Sequence, residues 1–165
     1  MSESLPKFLI DVKSDPVLLR VEGRVTYTNC APFSKLFAKL IAQGRNAYVI
    51  DFEKCTGMDS TFLGILAGVA LEIRKMKPEG CFTICRLNER NMELIQNLGL
   101  HRIMNVEKDD ERAEEGCAKK EVKGGGMASK EAILDAHESL VEANKKNKRE
   151  FHDVIEYLKK QVEES

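Results

Sequence analysis

Apolar and polar positions follow two different periods along the first hundred residues of the chain. Short runs rich in Val, Ile, Leu and Phe have the length and composition of β-strands. Between them, longer stretches repeat apolar residues every three or four positions, which is the spacing of an amphipathic helix. These patterns predict strands at 7–13, 16–23, 46–52, 81–87 and 101–106, and helices at 28–44, 60–76 and 88–99.

The order of these elements, β-β-α-β-α-β-α-β, predicts an α/β domain in which helices flank a mixed sheet. Residues 46–52 are almost entirely apolar, as in a strand that is covered on both faces. Residues 53–60 are predicted to form a loop before the second helix. Gly64 and Gly68 lie inside that helix, where we expect them to allow close packing.

The composition changes after residue 107. Residues 107–130 contain almost no large apolar side chains and include three consecutive glycines at 124–126, which predicts a flexible linker. Residues 129–165 have no Gly or Pro and are rich in helix formers, which predicts a C-terminal helix. The predicted organisation is therefore a domain at 1–107, a charged and glycine-rich linker at 108–128 and a C-terminal amphipathic helix at 129–165.

The predicted C-terminal helix has two rows of positions at heptad spacing, with polar residues in the middle of the pattern. Two interpretations remain open: the helix docks on its own domain, or it forms a coiled coil or a helical surface for a partner. We predict self-association or binding of a second partner. One row holds Leu134, Val141, Lys148, Ile155 and Val162, and the other holds His137, Asn144, Phe151 and Leu158.

The charge balance and the N-terminus exclude several classes of function. A net charge of -1 and an aromatic content of 6% without Trp do not favour a nucleic-acid partner. The first residues lack the basic start and apolar run of a signal peptide. No stretch approaches the roughly 18 apolar residues of a membrane span. We therefore expect a cytoplasmic location without a membrane partner.

The candidate metal ligands and catalytic groups are sparse. Cys81 and Cys85 lie four residues apart on a predicted strand, but no second His/Cys pair completes a zinc site. We expect buried structural thiols, without a metal or cofactor, at all five cysteines. The sequence also has no Gly-x-Ser-x-Gly elbow and no Walker-type loop, so we predict that the chain is not an enzyme. The other three cysteines are Cys30, Cys55 and Cys117, and the histidines are His101, His137 and His152.

An acid and two hydroxyls, Asp59-Ser60-Thr61, stand where the second helix begins. One of them can cap the helix, which contributes roughly 0.5–2 kcal/mol, and spacing alone favours that role. A helix N-terminus also favours an anion, so a hydroxyl there is suited to phosphorylation. A phosphate adds about -1.5 to -2 charge, which can abolish the docking of a partner.

The sequence around these residues, YVIDFEKCTGMDSTFLGILAGVALEIRK, resembles the signature of STAS domains, in particular bacterial anti-sigma factor antagonists. That signature is Asp-Ser-[Ser/Thr]-Gly-Leu-Gly at a helix start, and the matching residues are Asp59, Ser60, Thr61, Leu63 and Gly64. Residues 23–26 resemble the family's Gly-Glu-[Leu/Ile]-Asp, and residues 87–106 are similar to its third helix and last strand. The resemblance covers residues 5–107 and implies a STAS-like fold.

The resemblance also implies a function. In that family the Ser after Asp is phosphorylated by an anti-sigma factor that is also a serine kinase, and a PP2C-type phosphatase removes the phosphate. The unphosphorylated protein binds the anti-sigma factor and so releases a sigma factor for transcription. Ser60 is the implied phospho-acceptor in this signal transduction, with Thr61 as the second choice, and Asp59 would orient the site and support partner binding. The expected partner-binding residues are Asp59, Ser60, Thr61, Phe62 and Thr26.

Two residues depart from the family pattern. Phe62 stands where the family usually has Gly, and we expect its ring to affect partner choice or to add an apolar contact. Thr26 replaces the acid after the second strand, so an identical kinase interface does not follow. Thr26 is either a second modifiable hydroxyl or a plain surface Thr, and the plain surface Thr is the simpler interpretation. The alternative function is a non-switching STAS scaffold, either stressosome-type or part of a lipid transporter.

Overall fold

The computed structural model describes residues 5–115 and 120–164. The strands are β1 (Lys7–Asp11), β2 (Val17–Val25), β3 (Ala47–Asp51), β4 (Cys55–Met58), β5 (Cys81–Cys85), β6 (Asn105–Glu107) and β7 (Lys120–Lys123). The helices are α1 (Ala31–Ala42), α2 (Ser60–Lys75), α3 (Glu89–Asn97), α4 (Glu111–Glu115), α5 (Lys130–Ala143) and α6 (Asn147–Glu163), and a 3₁₀ turn spans Leu100–Arg102.

The strands form one mixed sheet in the order β6-β5-β3-β2-β1-β7, and β4 pairs with the far end of β2. Strands β2, β3, β5 and β6 run parallel to one another, whereas β1 is antiparallel to both β2 and β7. The predicted α/β class, with helices flanking a mixed sheet, is confirmed.

Strand β3 is covered on both faces, as its apolar sequence predicted. Tyr48 and Ile50 point into the main core that the sheet shares with α1, α2 and α3. Val49 points to the opposite face, where it lies in a small cluster with Cys85 and with Ala113 of α4. Alternate side chains of the strand therefore enter two different apolar layers.

Residues 53–60 differ from the predicted loop, because four of them form β4. This strand lies parallel to β2, with a register shift between Gly23 and Arg24. The side-chain Nδ2 groups of Asn88 and Asn91 both donate to the Cys55 carbonyl oxygen, at 3.4 and 3.1 Å. The strand is too short to show a periodic pattern, and it brings the chain to the start of α2 beside the end of β2.

The segment 108–128, predicted as a flexible linker, contains α4 and β7 instead. Strand β7 extends the sheet by pairing with β1, and Val122 packs against the main core. The glycines that follow are held by backbone hydrogen bonds, among them Gly124 N–H to Pro6 O at 2.7 Å. The composition of this segment did not predict β7 because β1, the strand with which β7 pairs, lies about a hundred residues away in sequence.

The C-terminal segment forms two antiparallel helices rather than one. The chain turns between α5 and α6, where the Asn147 side chain donates to the carbonyl oxygens of Leu98 and Leu140 at 2.9 and 2.8 Å. We call the pair α5 and α6 the hairpin; it docks on α2 of its own domain. Phe151, Ile155 and Leu158, which belong to the predicted rows, are buried within the chain, as is Leu140 outside those rows.

Three of the cysteines are buried thiols, as predicted, whereas Cys81 is exposed and Cys117 lies outside the described residues. Burial raises the pKa of Cys30 and Cys55 to about 11 and that of Cys85 to about 12. These three thiols are therefore protonated near neutral pH and behave as small apolar side chains.

Candidate functional site

Asp59 is the N-cap of α2 and connects this helix to the loop after β2. Its Oδ1 accepts a hydrogen bond from the backbone N–H of Phe62 at 3.0 Å, as an N-cap carboxylate does. Its Oδ2 accepts from the backbone N–H of Tyr27 at 2.8 Å. The Asp59 backbone N–H in turn donates to Val25 O at 3.2 Å. One residue therefore fixes both the start of α2 and the position of the neighbouring loop.

The loop at residues 26–30 is held by its own polar side chains and by the segment before α5. Thr26 N–H donates to Oδ1 of Asn29 at 2.9 Å, and the hydroxyls of Thr26 and Thr28 lie 2.8 Å apart. On the other side, Ala128 N–H donates to Tyr27 O at 2.7 Å. Thr26 therefore lies in a loop that borders the start of α2.

Ser60 is the first residue of α2 and its side chain contacts the hairpin. Its Oγ lies 2.9 Å from Nε2 of His137 on α5. The other ring nitrogen, Nδ1, lies 2.7 Å from the carbonyl oxygen of Ile133, which can only accept. Nδ1 therefore carries a proton, and in the neutral imidazole Nε2 accepts the hydrogen bond from the Ser60 hydroxyl. Ser60 itself is half-buried.

His137 is enclosed between the domain and α6. It is 4% exposed, and the ring of Phe151 packs edge-on against it with centroids 5.2 Å apart. A buried imidazole needs hydrogen-bond partners for both nitrogens, and Ser60 and Ile133 supply them. The Ser60 hydroxyl is thus part of the contact that seats the hairpin.

Gly64 allows α5 to approach α2 at the level of the backbone. A Cβ atom built on Gly64 would overlap the backbone carbonyl and the Cβ of Ala136. One turn further, a Cβ on Gly68 would lie 3.1 Å from Oγ of Ser139, the movable end of a side chain. The expectation that these glycines permit close packing is confirmed, and the partner is α5.

Two predicted partner-binding residues point inward instead. Phe62 has no exposed surface and lies edge-on to Phe8 and Phe33, with ring centroids 6.2 and 6.3 Å away. Thr61 is 3% exposed. Both follow Ser60 on the turn of α2 that faces the sheet, so neither offers side-chain surface to a partner in this conformation. The larger residue at 62 fills the aromatic core rather than an interface.

Charge at the site comes mainly from Asp59 and from the helix itself. The α2 dipole places roughly half a positive charge at its N-terminus, and the Asp59 carboxylate lies over it. The same carboxylate acts on Cys30: burial first, and then this nearby negative charge, raise the pKa of that thiol. An anion added at Ser60 would therefore meet attraction from the helix and repulsion from Asp59.

In the Ser60–His137 pair the hydroxyl proton points toward Nε2 of the imidazole, but the arrangement differs from a hydrolase triad. In a triad the imidazole is oriented by a carboxylate, whereas here a backbone carbonyl contacts Nδ1. Within residues 5–115 and 120–164, no group of three or more His, Cys, Asp or Glu side chains is placed to hold a metal ion.

The helices within the described residues are short or carry many polar side chains. None of them combines the length and apolar character needed to cross a bilayer.

Sequence reasoning did not predict the contact between His137 and Ser60. The two residues are 77 positions apart, and no local pattern reports such a pairing. The available signal was indirect: Gly64 and Gly68 follow Ser60 at intervals of four, which marks one face of α2 as open to another helix.

The comparison with family models identifies the class of protein. A model described as the STAS domain matches residues 7–113, which is more than half of the chain. The chain belongs to the STAS domain family. The match ends before β7, so the hairpin lies beyond the matched residues. A comparison with curated proteins gives no match.

Solved structures of anti-sigma factor antagonists share this fold. SpoIIAA in its unphosphorylated form is 17% identical, with a TM-score of 0.53 over 66% of this chain and 94% of that one. The phosphorylated form of SpoIIAA, described as a Bacillus cell fate determinant, is 19% identical, with a TM-score of 0.52 over 66% and 97%. An antagonist from Mycobacterium paratuberculosis is 20% identical, with a TM-score of 0.56 over 67% and 92%.

Proposed function

We propose that the protein is an anti-sigma factor antagonist that acts as a phosphorylation-controlled binding switch. With Ser60 unmodified, the surface around Asp59, Ser60 and the loop bearing Thr26 binds and sequesters a serine-kinase anti-sigma factor. Phosphorylation of Ser60 ends that binding, and a PP2C-type phosphatase restores it. The chain itself is a binding protein in the bacterial cytoplasm that regulates transcription through partner exchange rather than by catalysis.

The observation that carries this proposal is the position of Ser60. It is the first residue of a helix of 16 residues, directly after the Asp59 cap, and it is half-buried at the surface of the domain rather than in the sheet core. STAS family membership and the fold shared with anti-sigma factor antagonists support the same assignment. Thr61, the second candidate hydroxyl, is buried and is therefore the poorer acceptor.

The proposed switch works through charge and bulk. The kinase transfers the γ-phosphoryl group of ATP to Ser60 Oγ; the hydroxyl proton leaves to a base and ADP is released. The product carries about -1.5 to -2 charge beside the Asp59 carboxylate. A partner surface that fits a neutral hydroxyl there must then accommodate a dianion next to an acid, which costs binding free energy.

Phosphorylation by a serine-kinase anti-sigma factor of the same genome tests the proposal. We expect ATP and this kinase to add one phosphate to the peptide that contains Ser60, as read by mass spectrometry. The Ser60→Ala variant should remain unmodified and keep its affinity for the kinase in the presence of ATP. Modification confined to other residues would contradict the proposal.

A second candidate function, a non-switching STAS scaffold, is favoured by the Ser60–His137 contact. In that case the hydroxyl only helps to seat the hairpin, as in a stressosome-type or lipid-transporter subunit. Comparison of the wild type with Ser60→Ala in the presence of ATP separates the two functions: in a switch only the wild type loses affinity for its partner, whereas in a scaffold both proteins bind equally well.

We also propose that the outer face of the hairpin mediates self-association or binds a second partner. Tyr157 and Val154 of α6 are exposed at 63% and 42%. Sedimentation of the full chain and of its Tyr157→Glu variant tests self-association. A larger particle for the wild type than for the variant is expected; monomers in both samples would contradict it.

A further inference from the structure

The hairpin occupies one face of α2, and that face begins at Ser60. Ser60, Gly64 and Gly68 lie one above another at intervals of four residues. Each faces a residue of α5: Ser60 Oγ is 2.9 Å from His137 Nε2, Gly64 meets the Ala136 backbone, and Gly68 lies beside Ser139. The face defined by these three residues of α2, which we call the glycine face, is therefore covered by a helix of the same chain.

We propose that the hairpin is an intramolecular competitor, which withholds Ser60 and the glycine face from a partner protein until it is displaced. The occupant in the resting protein is α5, and the partner that replaces it presents a helix with small residues toward Gly64. This inference rests on the proposed function for the identity of that partner, and it adds a second control on the same site.

Docking of α5 and modification of Ser60 exclude each other for geometric reasons. Phosphoryl transfer needs Ser60 Oγ as an in-line nucleophile, with the γ-phosphate of ATP close to it. In the docked state Nε2 of His137 lies 2.9 Å from that oxygen. The contact at Gly64 leaves no space for even a methyl group between the helices, so no group of a partner can enter there while α5 is docked. The hairpin must move away before the kinase reaches the hydroxyl.

The construction of the interface allows such a movement. The hairpin follows β7 through residues 124–129, so it can leave α2 while β7 stays paired with β1. The family match ends at residue 113, and the solved antagonists match only about two thirds of this chain over nearly their whole length. The STAS fold therefore occurs in those relatives without a counterpart to the remaining third.

Tethering makes the hairpin an effective competitor even if its intrinsic affinity for α2 is modest. A segment joined to its binding face by a short stretch of the same chain acts at an effective concentration on the order of millimolar. A partner can bind this face only in the molecules whose hairpin is undocked. Its apparent affinity is therefore its intrinsic affinity multiplied by the undocked fraction. Variants that undock the hairpin should therefore bind a partner more tightly without any change at the partner contacts.

Thiol labelling of the full chain measures access to position 60 directly. Ser60→Cys is combined with Gly64→Ala or with Gly68→Ala, and N-ethylmaleimide labelling of the peptide that carries the introduced thiol is followed by mass spectrometry. Both glycine changes add one methyl group to the same helix face. The methyl at 64 meets the Ala136 backbone, whereas the methyl at 68 meets the rotatable Ser139 hydroxyl. We expect labelling about tenfold faster with Gly64→Ala and within about twofold with Gly68→Ala, relative to Ser60→Cys alone.

Equal labelling rates for the two glycine variants would overturn the proposal. Circular dichroism checks that the variants are folded. A second design avoids reliance on Gly64→Ala: a Cβ on Gly68 lies 3.7 Å from Ser139 Cβ, within the roughly 3.5–4.5 Å range of disulfides, so Gly68→Cys with Ser139→Cys should lock the hairpin. Amide exchange in α5 and in the first turn of α2 should be slower in the oxidised than in the reduced form. Identical exchange in both forms would also overturn the proposal.

Neither measurement contains a kinase or another partner. Failure of the labelling or exchange test therefore refutes masking by the hairpin and leaves the phosphorylation proposal intact. Conversely, absence of phosphate on Ser60 with the cognate kinase, in the reduced lock variant and in the wild type, refutes the proposed function but leaves the masking result unchanged.

Discussion

The sheet domain and the hairpin bury apolar surface in two different ways. The domain packs large side chains from both directions, such as Phe8 stacked on Phe33 with centroids 3.9 Å apart, and its strands are joined by backbone ladders. The hairpin meets the glycine face of α2 through small residues, close backbone approach at Gly64 and one side-chain hydrogen bond from Ser60. Its larger apolar side chains, among them Leu140, Phe151 and Ile155, join the main core. We expect one methyl group added at Gly64 to disrupt the contact between the hairpin and α2 without disturbing the packing inside the sheet domain.

This difference has a functional meaning. Displacement of the hairpin exposes apolar side chains to water, so an exchange of occupants is favourable only when the partner covers the same face of α2. Contact through glycines and a polar pair gives a well-defined docked state that a competitor can replace. The stable domain and the replaceable hairpin can therefore be separated by mutation.

The largest expected effect comes from the domain core. Phe62→Ala removes a fully buried ring that contacts two other rings, so the free energy of unfolding should fall by about 3–5 kcal/mol. Urea denaturation followed by circular dichroism measures this change. Tyr157→Ala, which deletes an aromatic ring from the exposed side of α6, is the control and should shift stability by less than about 0.5 kcal/mol. Similar losses in both variants would mean that residue 62 is not a core residue.

A smaller and more local effect is expected at the turn of the hairpin. Asn147→Ala leaves the carbonyl oxygens of Leu98 and Leu140 without the Nδ2 donor, which costs about 1–3 kcal/mol. Hydrogen exchange should accelerate in α5 and α6 while β3 and β5 keep their protection. The exposed Lys148→Ala next to it serves as the control. Equal acceleration in the sheet would show that domain and hairpin unfold as one unit.

The cap of α2 is expected to contribute less than either. Asp59→Ala removes the acceptors of Phe62 N–H and Tyr27 N–H and should cost about 0.5–2 kcal/mol in a thermal or urea titration. Asp59→Asn should lie between Ala and the wild type, since an amide has only one oxygen to accept these two bonds. An Asn variant as unstable as the Ala variant would argue against the capping geometry.

The smallest effect is expected for the charged pair across the hairpin interface. Lys75 and Glu142 lie 3.5 Å apart, but their side chains are 63% and 57% exposed. Water and salt screen such a pair, so Lys75→Ala should cost at most about 1 kcal/mol. Thiol labelling in the Ser60→Cys background should then change far less with Lys75→Ala than with Gly64→Ala. A comparable change would mean that charge, rather than backbone fit, seats α5.

Much of the domain could be predicted because its signals are local. The apolar run at 46–52 predicted a strand covered on both faces, and Tyr48 and Val49 enter opposite layers. Asp59 and Ser60 were expected at a helix start, and Asp59 is the N-cap. The motif that carries the family resemblance lies within one loop and one helix, so it could be read without knowledge of the fold.

The remaining features depend on contacts between distant parts of the chain. Strand β7 forms only because β1 provides an edge to pair with, and its own sequence is polar. The inward direction of Phe62 follows from the rotation of α2 on the sheet, which the family motif does not reveal. His137 was placed in a heptad row, but the turn before Asn147 breaks that row, and docking of α5 on α2 brings the imidazole to Ser60.

The central claim is that a phosphate on Ser60 decides whether the partner binds. Isothermal titration of the cognate serine-kinase anti-sigma factor, without ATP, into unmodified and Ser60-phosphorylated protein measures this most directly. We predict that phosphorylation raises the Kd by about tenfold or more, which corresponds to about 1.4 kcal/mol or more. Equal dissociation constants for the two forms would contradict the account.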